Sequence, residues 1–129
     1  MPRPECCVTT DGSAWHTWCE GTPPARFVYT QKEDGPKLQV STGGNDAAPM
    51  IRADEYNNVW IAWWNPAARE IRVCRMGPRS GRELLACEGA YGPARDLTVA
   101  EGRIRVTCAG AGGRPITWEG TENDGFRQV

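Results

Sequence analysis

A pattern that returns every 44 or 45 residues constrains this chain more than any other feature, because a fixed period marks a fold built from copies of one unit. The best-formed copy reads Pro49-Met50-Ile51-Arg52-Ala53-Asp54, then Asn58-Val59-Trp60-Ile61-Ala62-Trp63-Trp64, then Glu70-Ile71-Arg72-Val73-Cys74-Arg75. Moving back 45 positions places Pro49 on Pro4, Trp60 on Trp15 and Trp63 on Trp18. Moving forward 44 places Pro49 on Pro93, Asn58 on Gly102 and Trp64 on Cys108. A third run follows as Phe27-Val28-Tyr29, Ile71-Arg72-Val73 and Ile116-Thr117-Trp118. A fainter fourth appears as Lys37-Leu38-Gln39-Val40, Glu83-Leu84-Leu85-Ala86 and Phe126-Arg127-Gln128-Val129. The proline and the aromatic run are independent anchors, and both keep one register.

Turn residues cut each unit into four short strands. Asp11-Gly12, Asn57-Asn58 and Glu101-Gly102 fall between the first and second, where a tight hairpin needs permissive dihedrals. Thr22-Pro23-Pro24, Asn65-Pro66 and Gly110-Ala111-Gly112-Gly113 separate the second from the third. Asp34-Gly35, Arg79-Ser80-Gly81 and Asn123-Asp124-Gly125 precede the fourth. No stretch keeps a helical apolar period through this punctuation. The second strand is apolar at both parities, with Trp60, Ala62 and Trp64 on one side and Ile61 and Trp63 on the other. A sheet with one wet face alternates more cleanly, so this one is expected between two neighbours. The expected fold is all-β: a β-propeller with three four-stranded blades at about 4–48, 49–92 and 93–129, forming one domain over 1–129. Trp15, Trp18, Trp60, Trp63 and Trp64 are assigned to the core between blades, and His16, at the strand position of Ile61, to a packed core site.

Three blades are too few to close a ring of the usual ~4–8. The two end faces are expected to expose Trp, Ile, Leu and Val as large apolar patches, which monomers seldom tolerate. The expected partner is therefore a second copy, a head-to-tail dimer of six blades, with a nine-blade trimer or a ring completed by a different chain behind it.

Composition removes several function classes. Fifteen basic residues against 16 acidic ones give a net charge of −1, without the basic excess of a nucleic-acid or membrane-surface protein. No run reaches the ~18–20 apolar residues of a membrane helix. Nor does an apolar core follow Met1-Pro2-Arg3-Pro4-Glu5, so a cleaved signal peptide is not expected and a cytoplasmic or virion-associated location is favoured. Cys6, Cys7, Cys19, Cys74, Cys87 and Cys108 contain no C-x-x-C pair and His16 is the sole histidine, so no metal is expected. Reduced buried thiols and a disulfide framework both remain open for these cysteines. No phosphate loop or nucleophile elbow appears, and no cofactor is expected.

The run from Ala48-Pro49 through Asn57-Asn58-Val59-Trp60-Ile61-Ala62-Trp63 to Ile71-Arg72-Val73-Cys74-Arg75 resembles blades of bacterial sialidase-like (BNR-type) propellers. That resemblance implies the fold. It does not imply the hydrolase, because the Ser-x-Asp-x-Gly-x-Thr-Trp box and an arginine triad are missing. Arg26-Phe27-Val28-Tyr29-Thr30-Gln31, with Asp34-Gly35 and Lys37-Leu38, also resembles a strand pair of fucose-binding propeller lectins. Such a resemblance implies sugar binding between blades.

Candidate ligand residues are Arg26, Arg69 and Arg114, which fall 43 and 45 residues apart before the third strands. One guanidinium per blade on one rim would suit an anionic or acidic-sugar ligand. Against that stands the reading of solvated turn residues paired with acids such as Glu20 or Glu70. Glu5, Cys7, Arg52, Asp54, Arg95 and Asp96 are expected on the channel strand, with no nucleophile or base beside the two aspartates. Together these features read as a non-enzymatic, lectin-like binding module. A structural component of a viral particle or larger complex is the alternative, and a sialidase-like glycoside hydrolase stands behind both.

Overall fold

Runs of β-branched and aromatic residues, cut by Gly, Pro, Asn and Asp, become strands wherever their two faces can both be covered. The computed structural model describes residues 5–76 and 81–129. Three antiparallel sheets follow one another along the chain, each made of consecutive strands in sequence order. Sheet 1 contains β1 (Glu5–Val8), β2 (Ala14–Glu20), β3 (Phe27–Lys32) and β4 (Lys37–Gln39). Sheet 2 contains β5 (Ala47–Ala53), β6 (Val59–Asn65), β7 (Glu70–Met76) and β8 (Leu84–Glu88). Sheet 3 contains β9 (Ala94–Ala100), β10 (Arg103–Ala109), β11 (Pro115–Thr121) and β12 (Gly125–Gln128). A single 3₁₀ turn at Ala111–Gly113 is the only helical element among the described residues. Pro4, Arg79 and Ser80, used above as a repeat anchor and a turn, lie outside the described residues.

The hairpins explain a register error in the sequence reading. In sheets 1 and 2 the first hairpin closes where the Thr9 N–H donates to the Ser13 carbonyl and the Asp54 N–H to that of Asn58, 2.9 Å each. Each loop encloses three residues, with Gly12 (φ 86°) and Asn57 (φ 64°) in left-handed backbone. Sheet 3 instead pairs Ala100 with Arg103 directly across Glu101 and Gly102, at φ 54° and 77°. Positive φ at both positions is the signature of a two-residue primed turn. Asp54 and Ala100, where the first strands end, are 46 residues apart, and the shorter hairpin brings the second strands, from Asn58 to Arg103, to a spacing of 45 rather than the 44 set by the proline anchor. Trp63, facing sheet 1, corresponds to Cys108, facing sheet 2. The third strands slip as well: Asn65 pairs with Glu70, and Gly110 donates to the Arg114 carbonyl at 2.7 Å. Arg114 thus occupies the place of Glu70, while Gly113 (φ 79°) matches Arg69 (φ 55°).

Sheet 2 is covered on both faces, which is what its double-sided apolar pattern requires. Toward sheet 1, Ile51, Val59, Ile61, Trp63 and Cys74 pack with Val28 and Val40, and with the half-buried Cys7, Trp15 and Cys19. Toward sheet 3, Trp60, Ala62, Ile71, Val73 and Cys87 pack with Leu97, Ile104, Val106 and Cys108. The first strands lie side by side, β1 by β5 and β5 by β9. Polar stitches repeat at both seams. Glu5 accepts from the Ile51 N–H at 2.9 Å, and Glu55 accepts from the Glu101 N–H at 2.9 Å. Arg75 reaches Glu122 at 3.1 Å.

The outward faces of sheets 1 and 3 differ from the expected apolar patches. On sheet 1, His16 is exposed rather than packed in a core, because its parity turns it away from sheet 2 together with Trp18 and Tyr29. On sheet 3, register places Arg105 opposite Glu119 and Thr107 opposite Thr117 on the outer face, and Arg103 adds a second ion pair to Glu119. That surface is threonine, arginine and glutamate. The large apolar residues of β10 and β11, Ile104, Val106, Ile116 and Trp118, turn inward.

Candidate functional site

The β1–β2 and β5–β6 loops meet at one end of the first seam and leave a cleft of about 310 Å³. It is lined by Thr9, Asp11, Ser13 and Trp15, by Lys32 at the end of β3, and by Tyr56 and Asn57. Loop geometry fixes the polar groups. Asp11 accepts from the Thr9 hydroxyl and, at 3.0 Å, from the Ser13 N–H. Those bonds hold its carboxyl down at about 2, which favours the carboxylate at neutral pH. The Thr10 hydroxyl bonds Asn57 across the seam, fixing one loop against the other. Tyr56 projects from the tip of its loop with 66% of its surface exposed. A carboxylate, an ammonium, an amide and two aromatic faces therefore surround a shallow, wet cavity.

The matching place in the second seam shows what a closed version looks like. Trp60, counterpart of Trp15, is buried, and its indole N–H donates to Asp54 at 3.0 Å. Asp54 also accepts from the N–H groups of Tyr56 (2.8 Å) and Asn58 (3.0 Å). Burial alone would raise this carboxyl, but the three bonds outweigh it and keep it below its ordinary range. Arg75, counterpart of Lys32 by register, is held by Glu122. In the first seam Thr9 stands where Asp54 stands in the second, and Trp15 stays half-buried in the cleft wall.

The three candidate arginines share no site. Arg26 is half-buried and donates from Nε to the Asp46 carbonyl at 2.6 Å and from Nη2 to the Asn45 carbonyl at 3.3 Å. It clamps the connection between sheets 1 and 2, where Asp46 itself accepts from Ser41, Gly43, Gly44 and Asn65. Arg69 is exposed and lies over the Tyr91 ring, 5.2 Å from its centroid. Arg114 is exposed in the shifted register described above. Of the five tryptophans assigned between sheets, Trp15 and Trp63 lie in the first seam and Trp60 and Trp64 in the second. Trp18 is on the outer face of sheet 1, stacked on Tyr29 with centroids 6.4 Å apart. Its indole donates to Glu20 at 2.7 Å, and Lys37 sits 4.8 Å from the centre of the Tyr29 ring.

The six cysteines are free thiols in this structure. Burial pushes Cys7 and Cys74 up to about 11 and raises Cys87 and Cys108, which disfavours their thiolate forms at neutral pH. Among the described residues, no cluster of His, Cys, Asp and Glu could hold a metal ion, and no helix is long and apolar enough to cross a membrane. Asp54 is engaged in its turn, while Asp96 is exposed on the outer side of β9. Comparisons with protein families, with characterised proteins and with solved structures find no match to this chain.

Sequence reading missed the cleft. Its signals were differences within the repeat, Thr9 for Asp54 and Asp11 for Tyr56, the first of which removes the acceptor that holds the indole of Trp60.

Proposed function

We propose that the three sheets are consecutive blades of a β-propeller completed by further copies of the chain, and that the protein is a non-enzymatic, lectin-like binding module. The observation that carries the ligand side of this reading is the open first seam. Trp15 and Tyr56 offer apolar faces, while Asp11, Lys32 and Asn57 offer donors and acceptors around the same cavity. Sugars present this combination in reverse, a ring of hydroxyls with apolar C–H faces, so a small saccharide fits the chemistry. Lys32 extends the range to saccharides bearing a carboxylate or phosphate. The anionic-sugar preference inferred from Arg26, Arg69 and Arg114 moves to this lysine.

The test is a titration of intrinsic tryptophan fluorescence with neutral and acidic saccharides, repeated on Trp15→Ala and Tyr56→Ala. Each replacement is expected to weaken binding about tenfold or more, as for a central aromatic contact, with the melting temperature unchanged in Tyr56→Ala and moderately lowered in Trp15→Ala, whose ring also packs in the seam. A saccharide panel that leaves the parent spectrum unmoved overturns the lectin reading and favours the structural-component alternative.

A further inference from the structure

The packing inside one chain supplies a template for the contact between two chains. On the face of sheet 1 that meets sheet 2, Thr17 pairs with Thr30 across β2 and β3. Both are fully buried beneath the sheet face that carries Trp63. Their hydroxyls donate to the carbonyls of Tyr29 (2.9 Å) and His16 (2.7 Å), so the pair meets its own polar needs within the sheet. A threonine pair of this kind makes a flat, dry seat for a tryptophan.

Sheet 3 has the same pair at the same register on its free face. Thr107 and Thr117 are cross-strand partners on β10 and β11, with hydroxyls 3.1 Å apart. Sheet 1 in turn has the matching tryptophan on its own free face. Trp18 lies 45 residues before Trp63 and occupies the same strand position. It is already oriented by Tyr29 and Glu20. Arg105, at the place of Trp15 and Trp60, would meet the Trp18–Tyr29 face with a guanidinium, a favourable partner for aromatic rings.

We infer that the free face of sheet 3 docks the free face of sheet 1 of a second copy, with Trp18 of one chain seated on the Thr107–Thr117 pair of the other. This inference rests on the ring reading and names its seam. Because both faces are polar at their margins, the contact is reversible and depends on concentration.

Sedimentation equilibrium over a wide concentration range tests it on the parent, on Trp18→Arg and on Thr107→Glu. The parent should reach twice the 14.2 kDa chain mass at high concentration. Each variant alone should associate about tenfold more weakly or worse, with parent-like far-ultraviolet circular dichroism. Mixing the two variants should restore association, because one seam then joins two intact faces and the other joins an introduced arginine to an introduced glutamate. A misfolded variant could not be rescued in this way. If the parent associates but neither variant weakens it, the seam assignment is wrong and the ring reading stands. A parent that stays at the single-chain mass at every concentration overturns both.

Discussion

The two seams of this molecule use the same repeat positions for different ends. In the second seam a tryptophan is buried, its indole is bonded to an aspartate, and the basic residue beside it is held by a glutamate. In the first seam the aspartate is a threonine, the tryptophan is half-exposed and the basic residue is Lys32, which lines an open cleft. A few side-chain differences at equivalent positions, Thr9 for Asp54 and Lys32 for the Glu122-bound Arg75, thus separate a closed joint from a recessed one. In a repeat fold, a ligand site can arise where one copy omits a group that its neighbour uses to fill itself.

The comparison can be broken most sharply at Trp60. Trp60→Ala removes the ring that fills the second seam and leaves Asp54 buried without one of its donors. The expected loss is about 3–5 kcal/mol, measured by urea denaturation. Trp15→Ala at the matching place should cost clearly less, and equal costs would show that the first seam is as closed as the second.

Asp54 sharpens the same contrast through pH. Its folded-state pKa lies below the unfolded value, so its stabilising contribution is fully present above about pH 4 and disappears as pH falls through the folded pKa. Asp54→Ala should lower stability by about 1–3 kcal/mol at pH 7 and flatten the acid limb of the stability curve. An unchanged acid limb in this variant would show that the hydrogen-bonded turn contributes nothing.

A smaller effect is expected from Thr9→Asp combined with Asp11→Tyr, which writes the chemistry of the second turn into the first. The indole of Trp15 gains an acceptor, its fluorescence shifts to the blue, and stability rises by about 0.5–1.5 kcal/mol. Saccharide affinity should fall at the same time. A variant that binds as the parent does would remove the cleft from consideration. The smallest effect concerns thiols: in the native protein a thiol reagent should modify the exposed Cys6 first, while the buried Cys74, Cys87 and Cys108 react only on unfolding, with no change in stability before that.

Much of this was legible in the sequence. The four-strand units, the double-sided burial of β6 and the seam positions of Trp15, Trp60, Trp63 and Trp64 follow from the period and the parity of the aromatic residues. In sheet 3 the second strand lies one residue out of the register that Pro49 and Pro93 suggest, because those prolines are 44 apart while Asn58 and Arg103, where the second strands begin, are 45 apart. A slip of one residue in a strand exchanges its faces. That slip hid the polar outer face of sheet 3 and made Arg114 look like a counterpart of Arg69. His16 was assigned to a core by analogy with Ile61, although the sheet on its side is not present within the chain. Arg26 resembled a ligand residue because its partners are backbone carbonyls, which sequence does not display.

Each sheet is made only of consecutive strands, and among the described residues no strand is lent to a neighbouring sheet. Opening a contact between two copies of such a chain would part side chains while leaving the backbone ladders intact. The barrier to exchange would then be set by exposing the two tryptophan seats of the ring to water rather than by unzipping a strand. The proposed assembly would then exchange its subunits without unfolding any of them.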